Sequence, residues 1–166
     1  MKLYILRHGI AEEAAPGGDD GARKLTARGR EKLRDGAERM RALGLKFNVI
    51  LTSPLARATE TAEIVAAAYA NDPPPQVLPA LATGVAPQEA ITALRAFAKH
   101  RHVMIVGHEP QLSAIASILL TAAPGAVNIS LKKGGLISLA VPARPDRGSA
   151  QLRWMLTARQ LRKLRK

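Results

Sequence analysis

Cysteine is absent from this 166-residue chain. Its absence removes disulfides, thiolate metal sites and a cysteine nucleophile together, and it permits a reducing compartment. Aromatic residues are scarce, with one Trp, two Tyr and two Phe, so there is little from which to build a base-stacking platform for nucleic acid. Long apolar runs are missing too. Arg, His, Pro or Gly interrupts each stretch before the roughly 20 residues that span a bilayer. The opening MKLYILRHG runs from a few apolar positions into Arg and His without a small-residue cleavage site, which reads as a strand rather than a signal peptide. We therefore expect a soluble, cytoplasmic protein with no membrane partner. Acidic residues are the last shortage: 13 stand against 25 Lys and Arg, for a formal net charge of +12. Such an excess attracts phosphates, nucleic acid and anionic surfaces. It is densest between Arg23 and Lys46 and in Arg159, Arg162, Lys163, Arg165 and Lys166, the pattern of a solvated helix face and a basic tail.

What is present alternates between strand and helix. Lys2 to Arg7 reads as a buried strand that ends on His8-Gly9. A Gly-, Pro- and Asp-rich loop, EEAAPGGDDGARK, follows. Thr26 can cap a helix whose apolar face carries Leu33, Ala37, Met40 and Leu43 until Gly44 stops it. Asn48 to Thr52 is a second strand, and Ser53-Pro54 supplies a cap and a first-turn proline for a helix reaching about Tyr69. Beyond the loop NDPPPQVLPALATGVAP, a helix spans about Gln88 to Lys99, and Val103 to Val106 is a strand that ends on Gly107-His108-Glu109-Pro110. Pro110 suits the first turn of a helix with Leu112, Ile115, Ala116, Leu119 and Leu120 on its apolar side. Two late strands, Leu136 to Val141 and Leu152 to Leu156, flank the turn-rich PARPDRGS. The expected fold is α/β, a three-layer α/β/α sandwich whose central sheet is mostly parallel, with antiparallel strands from the C-terminal part. Residues 1–166 read as one domain with a basic tail over about 158–166, because no repeat or linker divides them.

Ligands of such sheets bind outside the carboxyl ends of the strands. That rule singles out Arg7-His8, Ser53 to Arg57, and Gly107-His108. Two histidines at strand ends, each beside Gly, with an Arg at two of the three places, converge most economically on one pocket. Arg7 and Arg57 stay protonated and offer planar forks that match phosphate oxygens. Helix N-termini after Pro54 and Pro110 would aim free amides at the same anion. A neutral imidazole attacks phosphorus when one ring nitrogen is free and the other donates to a fixed acceptor. His8, directly after Arg7, suits that role, and His108 suits hydrogen-bond donation to the transferring group. The arginines should lower both imidazole pKa values, an effect that bound phosphate opposes. A metal reading fails on spacing and on the repulsion of a cation by the arginines. His100 and His102, in KHRH, read as bystanders.

Three motifs, Arg7-His8-Gly9, SPLARATETA from Ser53 to Ala62, and Gly107-His108-Glu109-Pro110, resemble those of the histidine phosphatase superfamily, which includes the phosphoglycerate mutases. They stand in the family's order, and the resemblance covers nearly the whole chain. The short length, RHGIA, DDGARKLTARG and GHEP look like the SixA-type phosphohistidine phosphatases. The resemblance implies that His8 is transiently phosphorylated, that Arg7, Arg57 and His108 hold the phosphate, and that neither metal nor cofactor takes part.

Mutase-like members of the superfamily resemble one another in carrying a Glu after the third strand, as general acid for an alkoxide leaving group. The corresponding region here, LPALATGVAP, holds no acid. An imidazole leaving group needs less protonic help. Phosphohistidine on a partner protein of phosphotransfer type is therefore the expected substrate. A small phosphomonoester is the alternative, with Glu109 as a possible proton donor beside His108. Glu89 reads as a first-turn helix acid. A non-catalytic module binding phosphate or nucleic acid is a third reading, disfavoured by the full catalytic set and by the lack of a groove-reading motif.

Overall fold

In the computed structural model, which describes residues 1–14 and 17–164, apolar alternation builds the sheet directly. Arg165 and Lys166 of the basic tail lie outside the described residues. Strand β1 (Lys2–Arg7) points Leu3 and Ile5 to one face and Tyr4 and Leu6 to the other. Strands β2 (Val49–Thr52) and β4 (His102–Gly107) divide in the same way. Val49, Leu51, Val103 and Ile105 join the first face, and Ile50, Met104 and Val106 the second. Period-two alternation with apolar residues on both sides requires cover on both faces.

Helices α1 (Ala27–Ala42), α2 (Ala56–Ala68) and α5 (Ala158–Lys163) cover one face with Ala37, Met40, Ala62, Val65 and Leu161. Helices α3 (Pro87–Leu94) and α4 (Gln111–Thr121) cover the other with Ile91, Leu94, Leu112, Ile115 and Leu119. Each fully buried Leu or Ile contributes about 1.5–3 kcal/mol of transfer free energy. None of the helices among the described residues is long and apolar enough to cross a membrane.

Among the described residues, six strands form one sheet in the order β3-β2-β4-β1-β5-β6. Strands β3 (Pro75–Val77), β2, β4 and β1 are mutually parallel, and β5 (Leu136–Ala140) and β6 (Gln151–Leu156) add antiparallel pairs beyond β1. This is the expected α/β architecture. The chain leaves β1 by α1 on one face and leaves β4 by α4 on the other, so the adjoining carboxyl ends of β1 and β4 form the topological switch point.

Two local features depart from the sequence reading, and the C-terminal tail, read as helical or frayed, is helical over α5 (Ala158–Lys163). Strand β3 falls in the Pro-rich loop: Pro75 pairs with Ile50 at the sheet edge, where a missing N–H costs no ladder bond. Helix α2 starts at Ala56 with Leu55 at its N-cap, not at Ser53-Pro54. The basic C-terminal stretch contains α5, capped reciprocally by Thr157 and Gln160 and anchored by buried Leu161.

Candidate active site

Register sets the site. Arg7 pairs with Gly107 and Thr52 with Val106, so the residues that follow, His8, Ser53 and His108, leave three adjacent strands side by side. The backbone continues the pairing for one more step, with His8 N donating to Gly107 O at 3.1 Å and Ser53 N to Val106 O at 2.9 Å. His8 and His108 are 6% and 3% exposed, and their ring centroids lie 5.1 Å apart. The expected nucleophile His8 and the three residues expected to hold phosphate, Arg7, Arg57 and His108, therefore meet at one end of the sheet, with Arg57 in the first turn of α2 and itself 5% exposed.

His8 is prepared on one side only. Its Nδ1 lies 2.7 Å from the carbonyl of Gly9. A carbonyl can only accept, so Nδ1 carries the ring proton and Nε2 keeps its lone pair. Burial pushes the His8 pKa down to about 3; the Gly9 hydrogen bond opposes it, and the charges of His108, Arg57 and Arg7 add to the lowering. The ring is neutral at any physiological pH, as a nucleophile must be. Gly9 leaves room for Leu33 of α1, whose side-chain tip would have to shift to admit a Cβ there. Its N–H donates to Thr61 Oγ1 at 3.1 Å, and that hydroxyl donates to Arg57 O at 2.7 Å, tying the histidine turn to α2.

His108 differs. Its Nε2 lies 2.8 Å from Ser53 Oγ, while its Nδ1 is buried without a partner among the described residues. Burial, Arg57 and Arg7 push its pKa down to about 4, and Asp20 opposes them. This hydroxyl contact also accounts for the late start of α2. Ser53 is fully buried and turned to His108 instead of serving as the N-cap.

Each arginine is held by acceptors that leave part of its fork unused. Arg7 Nη1 donates to Leu131 O at 2.8 Å, while its Nε is buried with no partner among the described residues. Leu131 belongs to the loop before β5, whose Gly134, at φ +69°, donates its N–H to both Arg7 O and His8 O. Arg57 donates through Nη1 to Asp20 O at 2.6 Å and through Nη2 to Asp20 Oδ2 at 2.9 Å. Asp20 also accepts from Arg23, and hydrogen bonds from Arg23 and Arg57 hold its carboxyl below the usual range. The sequence reading gave no role to Asp20 or Thr61 and cast Ser53 only as a cap. The DDGARK and SPLARATETA segments were the one signal that pointed to them.

The acids near this end of the sheet are occupied. Glu109 accepts from Ser113 N at 3.1 Å and from Ser113 Oγ at 2.6 Å, which closes the first turn of α4. The acid-free segment from Pro79 to Val85 is pinned beside it, since Gln111 Nε2 donates to Ala80 O and Val85 O at 2.9 Å each. Glu89 is exposed in the first turn of α3, as its helix position predicts. Among the described residues, no group of His, Asp and Glu is arranged to hold a metal ion.

Residues 3–82 match the family model of the histidine phosphatase superfamily, branch 1. An uncharacterized protein of a Picosynechococcus species is 41% identical over 145 residues, 84% of each chain. Among solved structures, the protein histidine phosphatase SixA complexed with tungstate superposes with a TM-score of 0.85 at 23% identity, covering 97% of this chain and 99% of that one. A phosphoserine phosphatase from Entamoeba histolytica, in complex with 3-phosphoglyceric acid, superposes with a TM-score of 0.69 at 15% identity, covering 96% and 98%. At these identities the two structures speak for the fold.

Proposed function

The chain belongs to the histidine phosphatase superfamily and is a phosphatase, and from that premise we propose that it removes phosphate from phosphohistidine on a partner protein by way of a phosphorylated His8. The observation that carries this reading is the engagement of both nearby acids. Asp20 is ionised between two arginines, and Glu109 accepts from Ser113 with both oxygens. A site in which Asp20 and Glu109 are both engaged as acceptors suits a leaving group that departs readily on its own account, and a phosphorylated imidazole is one.

In the first step, His8 Nε2 attacks phosphorus in line. The substrate P–N bond breaks, and the departing imidazole keeps the bonding pair and takes a proton from water. In the second, water attacks phosphorus, the His8 N–P bond breaks, and inorganic phosphate and one proton leave. Arg7, Arg57 and His108 bind the phosphoryl oxygens and stabilise the charge redistributed in both transition states. The net charge of +12 supports steering of an acidic phosphoprotein toward the pocket.

Incubation with a phosphohistidine-bearing protein should release phosphate and leave an acid-labile, alkali-stable phosphoenzyme. His8→Ala should lower the rate by about 10⁴-fold or more. Release that is unaffected in this variant would overturn the mechanism. A second reading, a small phosphomonoester as substrate, is favoured by the position of Glu109 beside His108. Comparable turnover of sugar phosphates, lost in Glu109→Gln, would establish it in place of the first.

A further inference from the structure

We infer that Ser53 is a positioning residue that fixes the tautomer of His108, so that a neutral imidazole turns an N–H rather than a lone pair to the transferring phosphoryl group. The inference rests on the phosphatase reading of the site and adds a residue to it.

Proton bookkeeping around the Ser53 hydroxyl carries the argument. The side chain is fully buried at the end of β2, so water does not complete its hydrogen bonds. Two groups reach Oγ: the backbone N–H of Leu55 at 3.4 Å and His108 Nε2 at 2.8 Å. The amide can only donate, so it occupies an oxygen lone pair. The hydroxyl proton then has one acceptor among the described residues, the lone pair of Nε2. A neutral ring that accepts at Nε2 carries its proton on Nδ1.

Nδ1 is the atom of His108 left buried without a partner. A buried donor with no acceptor is costly in the resting protein. This one sits in a ring whose centroid is 5.1 Å from that of the nucleophile His8, and which feels the charges of Arg57 and Arg7. Phosphoryl oxygens are the acceptors that complete it. The opposite tautomer would strand the Ser53 proton and present a lone pair to an oxyanion. In the resting protein burial and Arg57 keep the ring neutral to about pH 4, so the tautomer decides which nitrogen carries the proton. The Ser53 hydroxyl therefore does for His108 what the Gly9 carbonyl does for His8, with the opposite sense. A carbonyl acceptor frees a lone pair for attack on one ring, and a hydroxyl donor frees an N–H for charge stabilisation on the other.

Nitrogen-15 NMR of the resting, uniformly labelled protein reads the tautomer without any substrate. In the wild type, His108 should show a protonated Nδ1 and an unprotonated Nε2. Ser53→Ala should shift the ring toward the Nε2–H form and lower kcat on a phosphohistidine protein by about 10–100-fold, with KM changed by less than about threefold. Ser53→Thr, which keeps the hydroxyl, should retain both the tautomer and most of the rate, and it guards against misreading a packing defect in the alanine variant. A wild-type ring protonated on Nε2, or an alanine variant with unchanged tautomer and kcat, would overturn the role of Ser53. Failure of the wild type to turn over phosphohistidine would overturn the substrate reading instead, and the tautomer measurement would still decide the role of Ser53.

Discussion

Strand β4 begins at His102 and runs into His108, and cations surround both histidines. At the carboxyl end, His108 is 3% exposed, bonded to Ser53, and set against His8. The arginines there are anchored by Leu131 O and by Asp20, which fix their direction and leave other N–H groups unused. At the amino end, His102 is partly exposed and stacked on Tyr4 at 6.4 Å, and burial followed by Lys2, Arg101 and Lys46 lowers its pKa. Those three cations are exposed on the surface. Positive charge is thus common to the two ends. What separates them is whether the donors are held in place before an anion arrives, the condition for electrostatic stabilisation of a transition state.

Removing one held donor should produce the largest effect on this comparison. Arg57→Ala should lower kcat/KM by about 100–1,000-fold, on the scale of losing a preorganised donor. Arg57→Lys should recover little of it, because an ammonium cannot bond Asp20 in a fork and still offer planar N–H groups to phosphate. Steady-state kinetics on the phosphohistidine protein measure both. Recovery by lysine to within threefold of wild type would mean that charge alone makes the site, and the distinction between the two ends of β4 would fall.

The sequence held the carboxyl-end histidines in plain view because each follows an uninterrupted apolar strand. The two-face alternation that makes those strands legible also dictates helices on both sides. The order of strands was not written locally. That β4 inserts between β2 and β1, bringing His108 beside His8, depends on packing summed over both faces. Ser53 was misread because Ser before Pro is a strong helix-start signal, and a buried histidine elsewhere in the chain outbid the helix for its hydroxyl. Asp20 lay in a loop with no period, where only the three-dimensional reach of Arg57 gives it meaning. At the C-terminus, charge left helix and frayed tail equally open, and the capping box of Thr157 and Gln160 decides for the helix.

The second effect is thermodynamic. His8 and His108 titrate near 6.5 when unfolded but are pushed down to about 3 and about 4 in the folded chain. Between those limits the unfolded state binds more protons. Their contribution to stability is therefore complete above pH 6.5 and is lost as pH falls toward 3. Each group adds a slope of at most about 1.4 kcal/mol per pH unit in that window. Urea midpoints from pH 7 to pH 4 should fall steeply for the wild type and less steeply for His8→Asn or His108→Asn. Equal slopes in all three would mean that neither ring is folded in its neutral form.

The smallest effect belongs to the other end of the strand. His102→Ala removes a ring that stacks on Tyr4 and bonds to nothing through its buried Nδ1. Its backbone contacts are untouched by the substitution, since His102 N donates to Asn48 Oδ1 and its carbonyl accepts from Asn48 N. Loss of the stacking should cost about 1 kcal/mol or less, read as a small drop in the urea midpoint. The kcat/KM should stay within about twofold of wild type, because pairing of the other five strand residues with β1 and β2 and apolar packing on both faces fix the register of β4 independently of that ring. A tenfold loss would show that the amino end positions the carboxyl end. In that case the rigidity of the buried strand, and not the separate anchoring of its donors, would explain why the site forms where it does.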